Sequence, residues 1–186
     1  YVTELATGKQ ISRSQIGNNV MCFSNAPLSA IEAFSSPVSP PPFMVGMAEV
    51  EIDKETGVLE LIDYVAVVDC GTVINPNLAR VQVEGGIAQG IGMALYEDVV
   101  YNEKGKNFSN SLMQYKIPTR LDVGTIRVEF ESSYEPTGPF GAKSIGEIVI
   151  NTPSPAISNA IQNATGVIIR ELPMTAEKIY RGISGR

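Results

Sequence analysis

The 186-residue sequence contains no histidine, no tryptophan and only two cysteines. The absence of histidine excludes a Ser-His-Asp triad, a Cys-His dyad and a histidine-based zinc site within this chain. Acid–base chemistry would therefore depend on carboxylates, lysine, tyrosine or a bound cofactor. The two cysteines, Cys22 and Cys70, leave a disulfide open, but such a low cysteine content is typical of a reducing compartment.

The sequence also lacks an excess of positive charge and any long apolar run. Its net charge of −6 and its pI of about 4.7 disfavour nucleic acid or an anionic membrane as a partner. No apolar segment has membrane-spanning length, and no segment resembles a signal peptide. The first residue is Tyr1 and not Met, so we expect the chain to be cut from something longer.

Two phosphate-binding motifs are absent. The stretch "GGIAQGIGMAL" does not fit G-x-G-x-x-G, because Leu95 stands where the third glycine belongs, and no G-x-x-x-x-G-K-[ST] occurs. The sequence therefore disfavours a self-contained Rossmann or P-loop enzyme.

Residues 1–43 and residues 44–186 differ in their patterning. The first part is weakly patterned and ends in "SSPVSPPPF" (35–43), whose four prolines favour an extended segment. We interpret residues 1–43 as an extended arm or linker, with one possible short helix at 28–34. Residues 44–186 are interpreted as the folded domain.

A β-hairpin is predicted over residues 44–53 and 58–71. The first strand alternates, with Met47 and Val50 taken as its apolar side against Glu49, and "DKETG" provides a turn whose glycine tolerates positive φ. The run "YVAVV" in the second strand predicts burial on both faces of the sheet.

A long helix is predicted next, from the N-cap Asn75 and Pro76 to about Tyr96. Further predictions are strands at 97–102, 125–133 and 167–172, an extended region at 110–119, a helix at 154–166 that ends at Gly166, and a terminal helix that begins on Thr175. This order predicts an α+β fold with a mixed or antiparallel sheet and packed helices.

The long helix carries two glutamines and a glycine pair of interest. Gln82 and Gln89 are seven residues apart, so they share one helix face, and Gly85 and Gly86 lie between them. Amide side chains beside bare backbone would suit a flat polar ligand such as a pterin or nucleotide. The alternative is that the glycines let the helix pack closely against another element, while the glutamines face water.

The stretch "GPFGAKSIGE" (138–147) ends on one carboxylate, Glu147, directly before an apolar run. Glycines let a backbone approach a ligand closely, and apolar neighbours would desolvate the carboxylate and make it a stronger base. Alternatively, Glu147 caps the helical region that follows or pairs with Lys143. The residues alone leave these possibilities open.

A resemblance favours the first possibility. The blocks "AEVEIDKETG", "VVDCGTVINP", "QVEGGIAQG", "YKIPT" and "GAKSIGE" occur in this order and resemble the C-terminal part of the molybdenum hydroxylases, the xanthine dehydrogenase/aldehyde oxidase family. The resemblance covers residues 44 to about 182. It implies that the chain is the C-terminal molybdopterin-binding domain of a larger molybdopterin-binding subunit.

The resemblance implies roles for individual residues. Glu147 would be the general base beside the molybdenum, and Gln89 would hydrogen-bond the pterin. Gln82, Gly85 and Gly86 would line the same cofactor, and Lys143 would support the loop or a charged oxygen. The implied reaction oxidises an electron-poor carbon with water-derived oxygen, on a purine, another N-heteroaromatic compound or an aldehyde.

The resemblance also implies cofactors and partners. The cofactor is molybdopterin with molybdenum, in the cytosine dinucleotide form, while iron–sulfur clusters and FAD belong to other domains or subunits. The family's other molybdopterin-binding segments, cluster cysteines and flavin domain are missing from this sequence, so we expect an incomplete enzyme in a cytoplasmic multisubunit complex. A non-catalytic assembly or scaffold domain is the alternative.

Overall fold

The computed structural model describes residues 1–24 and 29–185. By contacts, the chain forms two compact units, Tyr1–Ser35 and Ser36 onwards. The division of the chain into residues 1–43 and 44–186 as an arm and a domain stays a prediction.

The first unit contains short elements that the sequence did not predict. Strands β1 (Val2–Thr3) and β2 (Gln10–Ile11) pair in antiparallel fashion. Helix α1 (Arg13–Asn19) begins at Ser12, whose side chain forms a capping box with Gln15, and a π-helical turn follows at Val20–Ser24. The predicted helix at 28–34 is absent from residues 29–34, and Leu28 lies outside the described residues.

The second unit is built on a three-stranded sheet in the order β3-β4-β5. Strands β3 (Phe43–Ile52) and β4 (Leu59–Asp69) form the predicted antiparallel hairpin, with a register shift between Glu49 and Val50. The turn contains Gly57 at a φ of +76°, as expected for its glycine. Strand β5 (Thr125–Phe130) then runs parallel to β4, which makes the sheet mixed.

One face of this sheet is buried and the other is not. Tyr64, Ala66 and Val68 of β4 are completely buried, whereas Val67 remains 37% exposed on the opposite face. The prediction that "YVAVV" is buried on both faces is therefore wrong for the described chain, because helices cover only the inner face. Met47 also lies on the exposed face with Glu49, since the pleat sends residues 47 and 50 to opposite sides.

Helix α2 (Pro76–Leu95) follows the predicted bounds closely. The Asn75 side chain accepts hydrogen bonds from the backbone N–H groups of Asn77 and Leu78, and Pro76 needs no such partner. Buried Val83, Ile87 and Ile91 form its core side. The helix is therefore fixed at its start by local chemistry and along its length by packing.

Besides a 3-10 turn at Pro139–Gly141, three α-helices follow α2 in the described part of this unit. A short helix α3 (Ile148–Asn151), which the sequence did not predict, leads into α4 (Pro153–Thr165), which packs on β3 and ends at Gly166 in the left-handed conformation. Helix α5 (Ala176–Ser184) begins after the capping residue Thr175, as predicted. Ile157 and Ile161 of α4 and Ile179 of α5 contribute to the core.

Three predicted extended segments are wrong. Residues 97–102 contain only an isolated bridge between Tyr101 and Asn107, and residues 110–119 form turns and irregular chain. Residues 167–172 form no strand, because no neighbouring strand offers them a ladder. No helix in the described ranges is long and apolar enough to cross a membrane.

Candidate functional site

A groove of about 810 Å³ lies between α2 and the segment that leads into and through α3. We call it the α2–α3 groove. Its lining residues are Leu78, Val81, Gln82, Gly85, Gly86, Gln89, Gly146, Glu147, Val149, Ile150 and Asn151. All five residues that the sequence analysis singled out for catalysis or cofactor binding therefore line one groove.

The two glutamines lie on the groove side of α2, as their seven-residue spacing predicts. Both side chains are exposed, so their amide donors and acceptors are directed into a space that water or a ligand can fill. A planar polar molecule could receive hydrogen bonds from both residues along one wall.

The adjacent glycines have different surroundings. A Cβ atom on Gly86 would lie 2.1 Å from Cγ2 of Val149, and one on Gly90 would lie 2.6 Å from Cγ of Pro153. These glycines let α2 approach α3 and α4 closely, so the helix-packing alternative is correct for them. A Cβ atom on Gly85, however, would meet nothing within 4 Å.

The glycine-rich loop before Glu147 is explained mainly by backbone packing. Gly71 and Ala142 form an isolated bridge, and a Cβ atom on Gly71 would lie 2.3 Å from the carbonyl oxygen of Gly141. Gly141 itself has a φ of +81°. Gly146 is different, because a Cβ atom there would meet nothing within 4 Å although the residue lines the groove.

Lys143 forms an ion pair with Asp69 and not with Glu147. Its Nζ lies 2.7 Å from Oδ2 of Asp69, and its side chain is only 7% exposed. Hydrogen bonds from Lys143, from the Ser133 hydroxyl and from the Gly71 N–H lower the pKa of Asp69 to about 2. The predicted alternative in which Glu147 pairs with Lys143 is therefore wrong.

Glu147 is exposed on the groove wall, so the desolvation expected from its apolar neighbours is not found in this chain. It occupies the N-cap position of α3, but its side chain makes no capping hydrogen bond. The side chain also forms no hydrogen bond or ion pair with any other described residue. A carboxylate in this position is free to accept a proton from a molecule bound in the groove.

An apolar pocket of about 550 Å³ adjoins the groove and shares Leu78, Gln82 and Gly146 with it. Cys70 lies in its wall, where burial raises the pKa of the thiol. Cys22 and Cys70 are both free thiols, so they do not form the disulfide that the sequence left open. Asp69 and Gly146 were not predicted as site residues, although they lie in the stretches "VVDCGTVINP" and "GAKSIGE" that resemble the family.

The chain matches the family model of the molybdopterin cofactor-binding domain over residues 2–124. It is 35% identical over 154 residues to the xanthine dehydrogenase molybdenum-binding subunit of Escherichia coli O157:H7, which covers 82% of this chain and 20% of that protein. It is 36% identical over 147 residues to the 6-hydroxypseudooxynicotine dehydrogenase complex subunit gamma of Paenarthrobacter nicotinovorans, covering 77% and 18% of the two chains.

Solved structures of oxidoreductases also contain a region similar to this chain. The crystal structure of quinoline 2-oxidoreductase from Pseudomonas putida 86 superposes with a TM-score of 0.70 at 40% identity, over 75% of this chain and 18% of that chain. The curated relatives are much longer, since the matched part of the chain spans only 15% to 20% of their length. The chain therefore belongs to the molybdopterin cofactor-binding domain family and corresponds to part of a molybdenum-binding oxidoreductase subunit of the xanthine dehydrogenase and aldehyde oxidoreductase type.

Proposed function

We propose that the chain supplies one wall of the molybdenum cofactor site and the general base of a hydroxylase that oxidises electron-poor carbon with water-derived oxygen. The observation that supports this most strongly is the common groove. Glu147 and the residues proposed to bind the pterin belong to segments about 60 residues apart in sequence, and they line one cavity of about 810 Å³. A ligand held by the glutamines would thus lie beside the carboxylate.

The groove fits a flat polar cofactor. Gly85 and Gly146 line it, and the space beside each would accept a methyl group without contact in this chain. Glycine in the interior of a helix costs up to about 1 kcal/mol relative to alanine, and packing within the chain offers no compensation at Gly85. Close approach of a ligand to the backbone is a reason for that glycine.

The proposed cofactor is molybdopterin with molybdenum, in its cytosine dinucleotide form. When bound, it would supply the two-electron redox chemistry that no side chain of this sequence provides. Gln89 and Gln82 would hydrogen-bond its polar edge. Gly85 would leave room for it, and Gly86 would line the same groove through its backbone. Glu147 would accept the proton from the water-derived oxygen that attacks the substrate.

The proposed substrate is a purine or another N-heteroaromatic compound. Three of the similar proteins are named for xanthine, 6-hydroxypseudooxynicotine and quinoline, and others are aldehyde oxidoreductases. Because some of the similar proteins are aldehyde oxidoreductases, an aldehyde is the second substrate class to be assayed. The proposed partners are the rest of the molybdopterin-binding subunit and iron–sulfur and flavin domains or subunits, in a cytoplasmic complex.

The experiment uses the native complex purified from its host through this chain. Molybdenum is measured by elemental analysis, and the released pterin is analysed for a cytosine nucleotide. We expect about one molybdenum per complex, and a marked loss in a Gln82→Ala complex. Gln162→Ala, at an exposed glutamine of α4 outside the groove, is the matched control and should keep its metal. A folded wild-type complex without molybdenum would overturn the proposal and favour the scaffold role.

A further inference from the structure

An ion pair between Lys143 and Asp69, with little access to water, links the loop that carries Glu147 to the end of β4. The Nζ of Lys143 lies 2.7 Å from Oδ2 of Asp69, and the two side chains are only 7% and 22% exposed. The ammonium group also lies 5.1 Å from the centre of the Phe43 ring. In such surroundings the pair is held in one geometry more firmly than an exposed ion pair would be.

Backbone hydrogen bonds also hold the glycine-rich loop against the chain that follows β4. The N–H of Lys143 donates to the carbonyl oxygen of Cys70 at 2.7 Å, and the N–H of Thr72 donates to that of Gly141 at 2.8 Å. Asp69 also accepts hydrogen bonds from Ser133 and from the N–H of Gly71. One carboxylate therefore joins the strand end, the segment after β5 and the glycine-rich loop.

Lys143 is the last described residue before Glu147 that is held by a hydrogen bond or an ion pair. Among the described residues, Ser144, Ile145 and Gly146 make no hydrogen bond, and Gly146 has open space where a side chain would stand. Ile145 and Ile148 pack against the core on either side of Glu147. The polar contacts that position the Glu147 carboxylate from the side of the loop are therefore those of Lys143.

A partly buried ion pair is weak evidence for a gain in stability, since desolvation of two charges offsets much of their attraction. The ion pair instead favours one conformation of the loop, because any conformation that left the Lys143 ammonium unpaired in these surroundings would cost free energy. A displacement of about 1 Å at a catalytic group can lower a rate by about 100-fold.

We propose that Asp69 and Lys143 are positioning residues, whose ion pair holds the loop 138–147 so that the Glu147 carboxylate faces a ligand in the α2–α3 groove. This inference rests on the proposed function of Glu147. It adds that the base is set in place by a charge pair formed across 74 residues of sequence.

The test compares variants of the native complex. Lys143→Met removes the ammonium group but keeps an apolar stem of similar length, Asp69→Asn is nearly isosteric, and the two are also combined. The measurements are molybdenum content, kcat per bound molybdenum, KM, and amide hydrogen exchange across residues 138–147. Glu147→Gln is the reference for loss of the base. Lys178→Met removes the lysine of a more exposed pair, 3.9 Å from Glu171, and is the matched control.

We expect Lys143→Met to keep its molybdenum and its KM, to lose about 10- to 100-fold in kcat per molybdenum, and to exchange amide hydrogens faster across the loop. The double variant should be no slower than Lys143→Met alone, because both changes break one interaction. Lys178→Met should match wild type in every measurement.

Two results would overturn the inference while the proposed function stands. One is an unchanged kcat per molybdenum in Lys143→Met while Glu147→Gln is inactive. The other is a loss of activity that follows only the loss of metal or folded complex, as a purely structural role would produce. If Glu147→Gln itself kept full turnover, the proposed function would fail first, and the positioning role would fail with it.

Discussion

Gly85 and Gly86 are neighbours in the interior of α2, so alanine gains the same helix propensity at both positions, up to about 1 kcal/mol. Their surroundings differ. A methyl group on Gly86 would lie 2.1 Å from Cγ2 of Val149, well inside the ordinary carbon–carbon contact of about 3.5–4.0 Å, whereas one on Gly85 meets nothing within 4 Å. Val149 is buried and β-branched, so it cannot easily rotate away.

These contacts set the sign and size of the effect on stability. Overpacking of this kind costs about 1–3 kcal/mol, and the propensity gain is common to both positions. We therefore expect Gly86→Ala to be about 1–3 kcal/mol less stable than Gly85→Ala, and Gly85→Ala to be at least as stable as wild type. Urea unfolding of the purified chain, followed by far-ultraviolet circular dichroism, measures the difference. Equal stabilities of the two variants would refute the packing account of the glycine pair.

Alanine at Gly85 also tests cofactor binding separately from helix packing. In the native complex, Gly85→Ala should lower the molybdenum content even though it does not destabilise the fold, because its methyl group would protrude into the groove. Full molybdenum content in that variant would show that the backbone at Gly85 makes no close contact with the cofactor.

Three further predictions concern local stability. The pKa of Asp69 is lowered from 3.8 to about 2 in the folded chain, so its contribution, about 2 kcal/mol at most, is complete above pH 5 and is lost as pH falls towards 2. The gap in urea midpoint between wild type and Asp69→Asn should accordingly shrink below pH 4, and a gap that stayed constant would contradict the shift. Asn75→Ala removes the side-chain cap of α2 and should lower the free energy of unfolding by about 1 kcal/mol in the same assay, with exposed Asn163→Ala as the control. Gly57→Ala should cost more than 1 kcal/mol, because Gly57 has a φ of +76° and a Cβ atom there would lie 2.2 Å from the carbonyl oxygen of Ala176; an unchanged midpoint would exclude that strain.

Elements whose signals are local could be predicted from the sequence. Asn75 and Pro76 define the start of α2 by hydrogen bonding and by a fixed φ, and Gly166 ends α4 by taking the left-handed conformation. The seven-residue spacing of Gln82 and Gln89 likewise placed both on one side of α2, because helix geometry alone decides it.

Features that depend on distant partners could not be predicted in this way. The segment at 167–172 begins with three β-branched residues but has no neighbouring strand to pair with, and composition cannot reveal that. The partner of Lys143 is Asp69, 74 residues earlier, and the nearer acid Glu147 was the natural guess from sequence. Gly85 and Gly86 look identical in sequence, and only the position of Val149 separates packing from open groove.

The exposure of one face of the sheet was also not predicted from the sequence. Val67 was expected to be buried because the run around it is apolar, yet the described chain leaves it 37% exposed. Burial is a property of the whole assembled protein, and this chain spans only 15% to 20% of the length of its curated relatives.

The most direct test of the proposed function is turnover per bound molybdenum in a native complex that carries Glu147→Gln. The substitution keeps the size of the side chain and removes its ability to act as a base. Glu103→Gln, at an exposed acid in the loop after α2, is the control. We predict that hydroxylation of purines, other N-heteroaromatic compounds and aldehydes is abolished in Glu147→Gln with molybdenum retained, and unchanged in Glu103→Gln. Undiminished turnover in Glu147→Gln would contradict the assignment of Glu147 as the base.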